Sequence, residues 1–335
     1  MGVKKMTILV CGGAGYIGSH AVAQLVDRGE DVVVVDNLQK GHQQAITDGA
    51  KFYNGDLRDR AFLQEVFNEN KIDAVMHFAA DSLVGESVQI PLQYYDNNVG
   101  GAISLLQVMK EHNVNKIVFS STAATYGEPD VIPILEDAVT SPTNPYGETK
   151  LAVEKMLKWS AEAYGLQYVV LRYFNVAGAH PNGIIGEDHQ PETHLIPIVL
   201  DVALGKREHI SIFGDDYETP DGTCIRDYIH VIDLVEAHIL AIEKLNRTGE
   251  SGTYNLGNGN GYSVNEVIEV CRAVTGHEIP AVVAPRRAGD PARLVASSDK
   301  AKQELGWEPQ YASLEAMVES AWNWFQKHPN GYDKN

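Results

Sequence analysis

Tyr146 and Lys150 stand four residues apart in the run Tyr146-Gly147-Glu148-Thr149-Lys150, which follows Ser141-Pro142-Thr143-Asn144-Pro145 and reads as the opening of a helix. At that spacing the two side chains share one helix face. An ammonium close to a phenol favours the phenolate and lowers its pKa from about 10. A phenol shifted in that direction is a usable general base for an alcohol proton. Tyrosine and lysine at this spacing are common on exposed helices, so the pair alone says little. Ser120-Ser121-Thr122 adds weight, because it ends an apolar run some 24 residues earlier. A hydroxyl there could bond both the phenol and a substrate oxygen.

A second set of residues supplies a phosphate cradle. Gly13-Ala14-Gly15-Tyr16-Ile17-Gly18 follows the apolar run 6–11 and opens a segment, 16–28, with apolar residues at helical spacing. Val32 to Val35 then make a second strand that ends at Asp36. Strand, glycine turn, helix, strand and acid form the layout of a dinucleotide-binding unit. Glycines let backbone N–H groups approach a pyrophosphate at the positive end of the helix. A carboxylate at the tip of the second strand accepts ribose hydroxyls and repels a 2′-phosphate. Asn37, not an arginine, follows Asp36, so NAD is favoured over NADP.

The elements that must position these groups are legible from hydrophobic runs. Strands are expected at 51–56, 73–79, 116–121 and 168–173, alternating with helices near 59–70, 96–112 and 146–164. Near-continuous apolar strands between helices predict an α/β fold with a doubly wound parallel sheet. Ligands in such sheets bind beyond the carboxyl ends of the strands, where Asp56, Thr122 and Asn175 fall. From about residue 176 the loops lengthen and grow richer in Gly, Pro and His. The division expected is a Rossmann domain over 1–175 carrying Tyr146 and Lys150, and a smaller α/β portion over 176–335 that is mainly substrate-binding. The polar tail from Lys327 is expected to fray.

Bulk composition removes several classes of function. The chain has 335 residues, 44% of them hydrophobic, and a net charge of −18. That charge argues against a nucleic-acid partner, and no apolar stretch reaches membrane-span length. The basic start at Lys4-Lys5 precedes too short an apolar run to be a signal peptide. Cys11, Cys224 and Cys271 are few, scattered and odd in number, which suits a reducing cytoplasm. His189 and His194 lie five apart in a loop, but no ligand set is spelled out, and metal chemistry is not indicated.

The glycine loop, Asp36, Asp56-Leu57, Phe78-Ala79-Ala80, the Ser/Thr after the fifth strand and Tyr146-x-x-x-Lys150 together resemble the extended short-chain dehydrogenases/reductases. Within that family the chain is similar to the nucleotide-sugar 4-epimerases. Val84-Gly85-Glu86-Ser87, Tyr94-Tyr95-Asp96-Asn97-Asn98, Arg172-Tyr173-Phe174-Asn175, Arg226-Asp227-Tyr228-Ile229-His230-Val231 and Ala284 to Asp290 carry this likeness over essentially the whole chain.

The resemblance implies a tightly held NAD that is regenerated in each turnover, and interconversion of UDP-galactose and UDP-glucose in galactose metabolism. It implies that Tyr146 takes the sugar 4-hydroxyl proton as hydride leaves C4, that Thr122 bonds the same oxygen, and that Lys150 holds the nicotinamide ribose and tunes Tyr146. The 4-keto sugar then turns about its diphosphate link and is reduced on its other face. Cofactor contacts are implied at Gly12, Gly15, Tyr16, Ile17, Gly18, Asp36, Asn37, Asp56, Leu57, Phe78, Ala79, Ala80, Ser82, Asn97 and Phe174, besides Tyr146 and Lys150. Substrate contacts are implied at Asn175, Leu195, Phe213, Arg226, Tyr228, Arg287, Asp290 and Leu294, besides Thr122 and Tyr146. A homodimer joined through helices 96–112 and 146–164 is implied as well.

Two positions depart from the pattern. Some members carry a lysine where this chain has Asp81-Ser82-Leu83, so Ser82 offers only a neutral hydrogen bond. Leu294 falls near the position that limits sugar size and is intermediate in bulk. Other readings stay open: action on UDP-N-acetyl or uronic sugars, or a non-catalytic NAD-binding sensor. A sugar dehydratase would need an acid-base pair directly after Thr122, where Ala123-Ala124 stands.

Overall fold

Six of the apolar runs form parallel strands: β1 Thr7–Cys11, β2 Asp31–Asp36, β3 Lys51–Asn54, β4 Ala74–His77, β5 Lys116–Ser120 and β6 Gln167–Tyr173. They are seen in a computed structural model that describes residues 5–287 and 290–332. A seventh strand, Gly252–Leu256, pairs with β6, and the spatial order is 3-2-1-4-5-6-7. Every neighbouring pair runs parallel. Both faces of this sheet are covered, which is why β1 and β2 read as unbroken apolar runs. On one face Val10, Val34, Met76 and Leu171 pack with Leu234 and Leu245; on the other Leu9, Val33, Val75 and Phe119 pack with Leu105 and Leu157.

Part of the chain beyond the division expected near residue 175 returns to the sheet. Helix Val231–Thr248 and the strand Gly252–Leu256 return from the second half to complete the sheet and one of its covering layers. The remainder of the second half builds its own core from Ile196, Leu200, Val267, Met317 and Trp324. It carries short paired strands, among them Ile210–Phe213 with Ala281–Ala284 and Ile225–Arg226 with Arg293–Leu294.

Two local differences from expectation have physical causes. The helix expected at 96–112 starts earlier, at Pro91, and widens into a π-helical turn over Tyr95–Gly100 before Gly101–Glu111. That turn buries Asn98, whose side chain bonds the backbone N–H and C=O of Asp81 and the hydroxyl of Thr149. π-turns recur where a helix is shaped around a functional contact. The tail does not fray where expected: the helix Leu314–Lys327 is followed by Tyr332, whose N–H donates to Asp188 and whose ring packs on Trp324. The last three residues of the expected tail lie outside the described residues.

Candidate active site

The glycine loop is shaped by contacts that only glycine tolerates. A Cβ on Gly18 would lie 2.0 Å from the Gly12 carbonyl, and one on Gly12 would lie 2.6 Å from the Ala79 nitrogen. The loop therefore lies directly against the Phe78-Ala79 backbone after β4, whose N–H groups donate to the Cys11 carbonyl. Helix Tyr16–Asp27 begins at Gly15 with no side-chain cap, so its first N–H groups face outward as an anion site. At the tip of β2 the Asp36 carboxylate accepts the N–H groups of Ala14 and Leu38. Burial pushes its pKa up, and those two donors pull it back. This is the donor chemistry a dinucleotide requires: backbone N–H groups for pyrophosphate and a fixed carboxylate for ribose.

Other expected cofactor contacts ring the same edge. Asp56 and Leu57 follow β3, and the Asp56 carboxylate is held well below its usual range by Arg58, with Asn37 donating to it as well. Phe78, Ala79 and Ala80 follow β4. Asn97 sits in the π-turn, its amide 3.4 Å from the Asn98 side-chain oxygen. Ser82 is exposed, whereas its neighbour Asp81 is buried and clamped by Asn98.

The catalytic pair is positioned by a helix start. Asn144 caps helix Pro145–Tyr164 through the Gly147 N–H, with Pro145 in the first turn. Gly147 brings this helix against the turn after β5, since a Cβ there would lie 2.7 Å from the Ala124 carbonyl oxygen. That approach places Tyr146 beside Thr122. The Thr122 hydroxyl accepts the Ala124 N–H and lies close enough to the Tyr146 phenol to favour its charged form. Lys150 is buried, donates to the Ser120 carbonyl at 2.9 Å, and lies 5.9 Å from the centre of the Tyr146 ring.

The electrostatics correct one expectation. The Tyr146 phenol is not lowered by Lys150; burial pushes it up to about 12, and only the Thr122 hydroxyl works the other way. Burial also brings Lys150 down to about 7, against the pull of Glu154. Low dielectric disfavours the charged form of each group, and that outweighs their mutual influence.

The expected substrate residues form a second cluster over the smaller portion. Arg287 stacks on Phe213 with 3.9 Å between guanidinium and ring centre. Arg226 pairs with Asp290, and Leu294 lies level with Arg226 on the adjoining strand. Asp290 is therefore engaged by an arginine. Leu294 and Phe174 pack with Tyr126 and Ala123, in the turn that follows Thr122, which joins this cluster to the catalytic pair. Asn175 donates to the Asp227 carbonyl, and Leu195 opens helix Leu195–Ala203. Tyr228 is buried against Tyr262 with its hydroxyl near Arg226, so it backs that arginine from within. Ala288 and Gly289 of the expected motif lie outside the described residues.

Two features beneath the site escape a sequence reading. Ser121, Glu154 and Arg172 form a buried network one helical turn beyond Lys150. Glu154 shares the Lys150 helix face at the same spacing as Lys150 shares that of Tyr146, which was the signal available. Asn98, which locks the loop after β4 to the catalytic helix, had no such marker.

The sequence matches the model of the NAD dependent epimerase/dehydratase family over residues 8–257. It is 67% identical over 327 residues to the UDP-glucose 4-epimerase of Halalkalibacterium halodurans, covering 98% of each chain. A crystal structure of a UDP-glucose 4-epimerase superposes with a TM-score of 0.97 at 69% identity, covering 98% of this chain and all (100%) of that one. The Bifidobacterium longum UDP-glucose 4-epimerase in complex with NAD+ and UDP superposes with a TM-score of 0.92 at 45% identity, covering 97% of this chain and 100% of that one.

Proposed function

The chain belongs to the NAD dependent epimerase/dehydratase family, and we infer from that membership and from its site that it interconverts UDP-galactose and UDP-glucose. The observation that carries the reading is the Tyr146 phenol beside Thr122, one helical turn from Lys150, at the edge of the sheet where the glycine loop opens.

NAD, when bound, would supply reversible hydride acceptance at sugar C4 and a positive charge that would favour the phenolate. The glycine loop, Asp36, Asp56 and the Phe78–Ala80 segment are the residues that would hold it. Tyr146 takes the 4-hydroxyl proton, and Thr122 keeps the phenol and the sugar oxygen in one hydrogen-bonded line. Lys150, fixed by the Ser120 carbonyl, holds the cofactor ribose and the local potential. After the ketone turns over, its other face is presented for reduction at C4, and Tyr146 returns the proton to the C4 oxygen.

Arg226 and Arg287 supply the grip on the diphosphate, since guanidinium groups suit phosphate oxygens. Phe213 offers a flat face beside Arg287. Fixing UDP and leaving the hexose loosely held lets the ketone rotate. Leu294, packed with Phe174, sets the size of the hexose accepted.

We propose a homodimer built on helices Val84–Gln89, Pro91–Glu111 and Pro145–Tyr164. These carry the exposed apolar side chains Val88 (62% exposed), Leu92 (82%), Ile103 (42%) and Trp159 (66%). Several exposed apolar side chains on these helices are consistent with an interface. Among the described residues no helix is long and apolar enough to cross a membrane. The three cysteines are buried and unpaired, which supports the reading of a reducing, cytoplasmic setting. The reaction is tested by supplying UDP-galactose to purified protein without added nicotinamide and following UDP-glucose. Formation over many turnovers supports the reading; none, with or without added NAD, opposes it.

A further inference from the structure

The segment that leads into helix Leu195–Ala203 gathers four metal-ligating side chains outside the site described above. Glu187, His189, Glu192 and His194 each present one ligand atom, and all four atoms lie within 4.8 Å of one another. A single oxygen of Glu187 faces both imidazoles, 3.1 Å from His189 Nδ1 and 2.9 Å from His194 Nδ1. Glu192 closes the set, its Oε1 2.9 Å from His194 Nδ1 and its Oε2 3.8 Å from His189 Nδ1. A tetrahedron of bonds about 2.0 Å long has edges of about 3.3 Å, and the observed spacings bracket that value.

The surroundings are those of a built site. The side chains of Glu187 and Glu192 are 5% and 11% exposed. Glu192 is oriented by the N–H groups of Thr193 and His194. Glu187 is anchored through its backbone carbonyl by Trp324 Nε1, and the His189 ring meets the edge of Tyr16. Such outer contacts orient first-shell ligands. Two neutral imidazoles and two carboxylates exactly balance a divalent charge. Imidazole with carboxylate suits zinc and its first-row neighbours, whereas magnesium and calcium prefer oxygen alone.

We propose that Glu187, His189, Glu192 and His194 bind one zinc-class divalent cation as a structural tie. It departs from the expectation that the chain holds no metal, and it does not depend on the reaction proposed above. The tie joins the glycine-loop helix, through Tyr16, to the segment that delivers Leu195.

The test uses untagged full-length protein with its cofactor retained. Metal content is measured by mass spectrometry before and after EDTA dialysis, followed by calorimetric titration with zinc chloride and thermal melts. The proposal predicts one zinc per chain, its loss lowering Tm by a few degrees and its return restoring it. The His189→Ala/His194→Ala double variant is predicted to bind none. A wild-type protein that takes up no stoichiometric zinc and melts unchanged with it overturns the proposal, leaving two imidazolium–carboxylate pairs. Equal zinc uptake by the double variant also overturns it. If that variant does not fold, cobalt substitution of the wild type decides, with intense tetrahedral d–d bands expected and their absence contradicting the site.

Discussion

The Arg172 guanidinium and the Glu154 carboxylate form an ion pair in the floor of the active site, with side chains only 7% and 8% exposed. Ser121 Oγ donates to the same carboxylate at 2.5 Å, and the guanidinium lies over the Tyr126 ring. The pair therefore links the end of β5, the catalytic helix and β6 directly below Lys150. Removing one partner strands a buried charge, which costs about 3–5 kcal/mol. Glu154→Gln is expected to lose that much in urea unfolding, whereas a Glu154→Met/Arg172→Met double variant loses less. A single variant within about 1 kcal/mol of wild type contradicts the account.

Gly147→Ala separates positioning from stability. The added Cβ falls 2.7 Å from the Ala124 carbonyl oxygen, so the helix start must retreat from the turn that carries Thr122. Overpacking of this kind costs about 1–3 kcal/mol. Misplacing a reacting group by about 1 Å can cost on the order of a hundredfold in rate. The expected result is a kcat loss larger than the stability loss alone accounts for, with UDP affinity unchanged. A variant that keeps kcat within twofold, a threshold of about 0.4 kcal/mol, is the opposing result.

Arg287→Ala and Arg226→Ala are expected to weaken UDP binding. A hydrogen bond to a charged group is worth about 1.5–3 kcal/mol, or about ten- to a hundredfold in Kd. Calorimetry with UDP reads this directly. Arg287 stacks on Phe213, whereas Arg226 is shared with Asp290, so Arg287→Ala is predicted to have the larger effect. Unchanged UDP affinity in both variants removes the diphosphate grip from the mechanism.

Acid should destabilise the fold before carboxylates titrate. Burial lowers His20 and His238 to about 4, and His77 and His230 to about 3. Their folded pKa values lie below the unfolded value near 6.5, so the unfolded chain binds more protons as pH falls through that range. Stability present above pH 6.5 is then lost progressively toward pH 4, at up to about 1.4 kcal/mol per pH unit for each group. Melts from pH 7.5 to 5 are expected to fall with acid, and His238→Leu, which removes one such group, to flatten that slope. A flat profile in the wild type rules this out.

How much of this was legible in the sequence depends on how local each feature is. β1, β2 and the glycine turn between them are contiguous, and burial on both faces writes them as apolar runs. The strand Gly252–Leu256 belongs to the same sheet but returns from far along the chain, which no local periodicity announces. Tyr146, Lys150 and Thr122 stand out by type and spacing, and the fold brings them side by side. The direction of the Tyr146 shift was not, because desolvation depends on what packs around the hydroxyl. His189 and His194 were visible as a pair, but Glu187 and Glu192 join them through loop folding that has no sequence period.

The account rests on Tyr146 as the group that moves the proton. Tyr146→Phe keeps the ring and removes only the hydroxyl beside Thr122. General acid–base catalysis contributes about 10²–10⁴-fold. The deciding measurement is the kcat of this variant on UDP-galactose, beside its Kd for UDP and its retained NAD. The account predicts a kcat lower by at least about a hundredfold with UDP and NAD still held. A variant that turns over like the wild type contradicts it and returns the chain to the reading of an NAD-binding sensor.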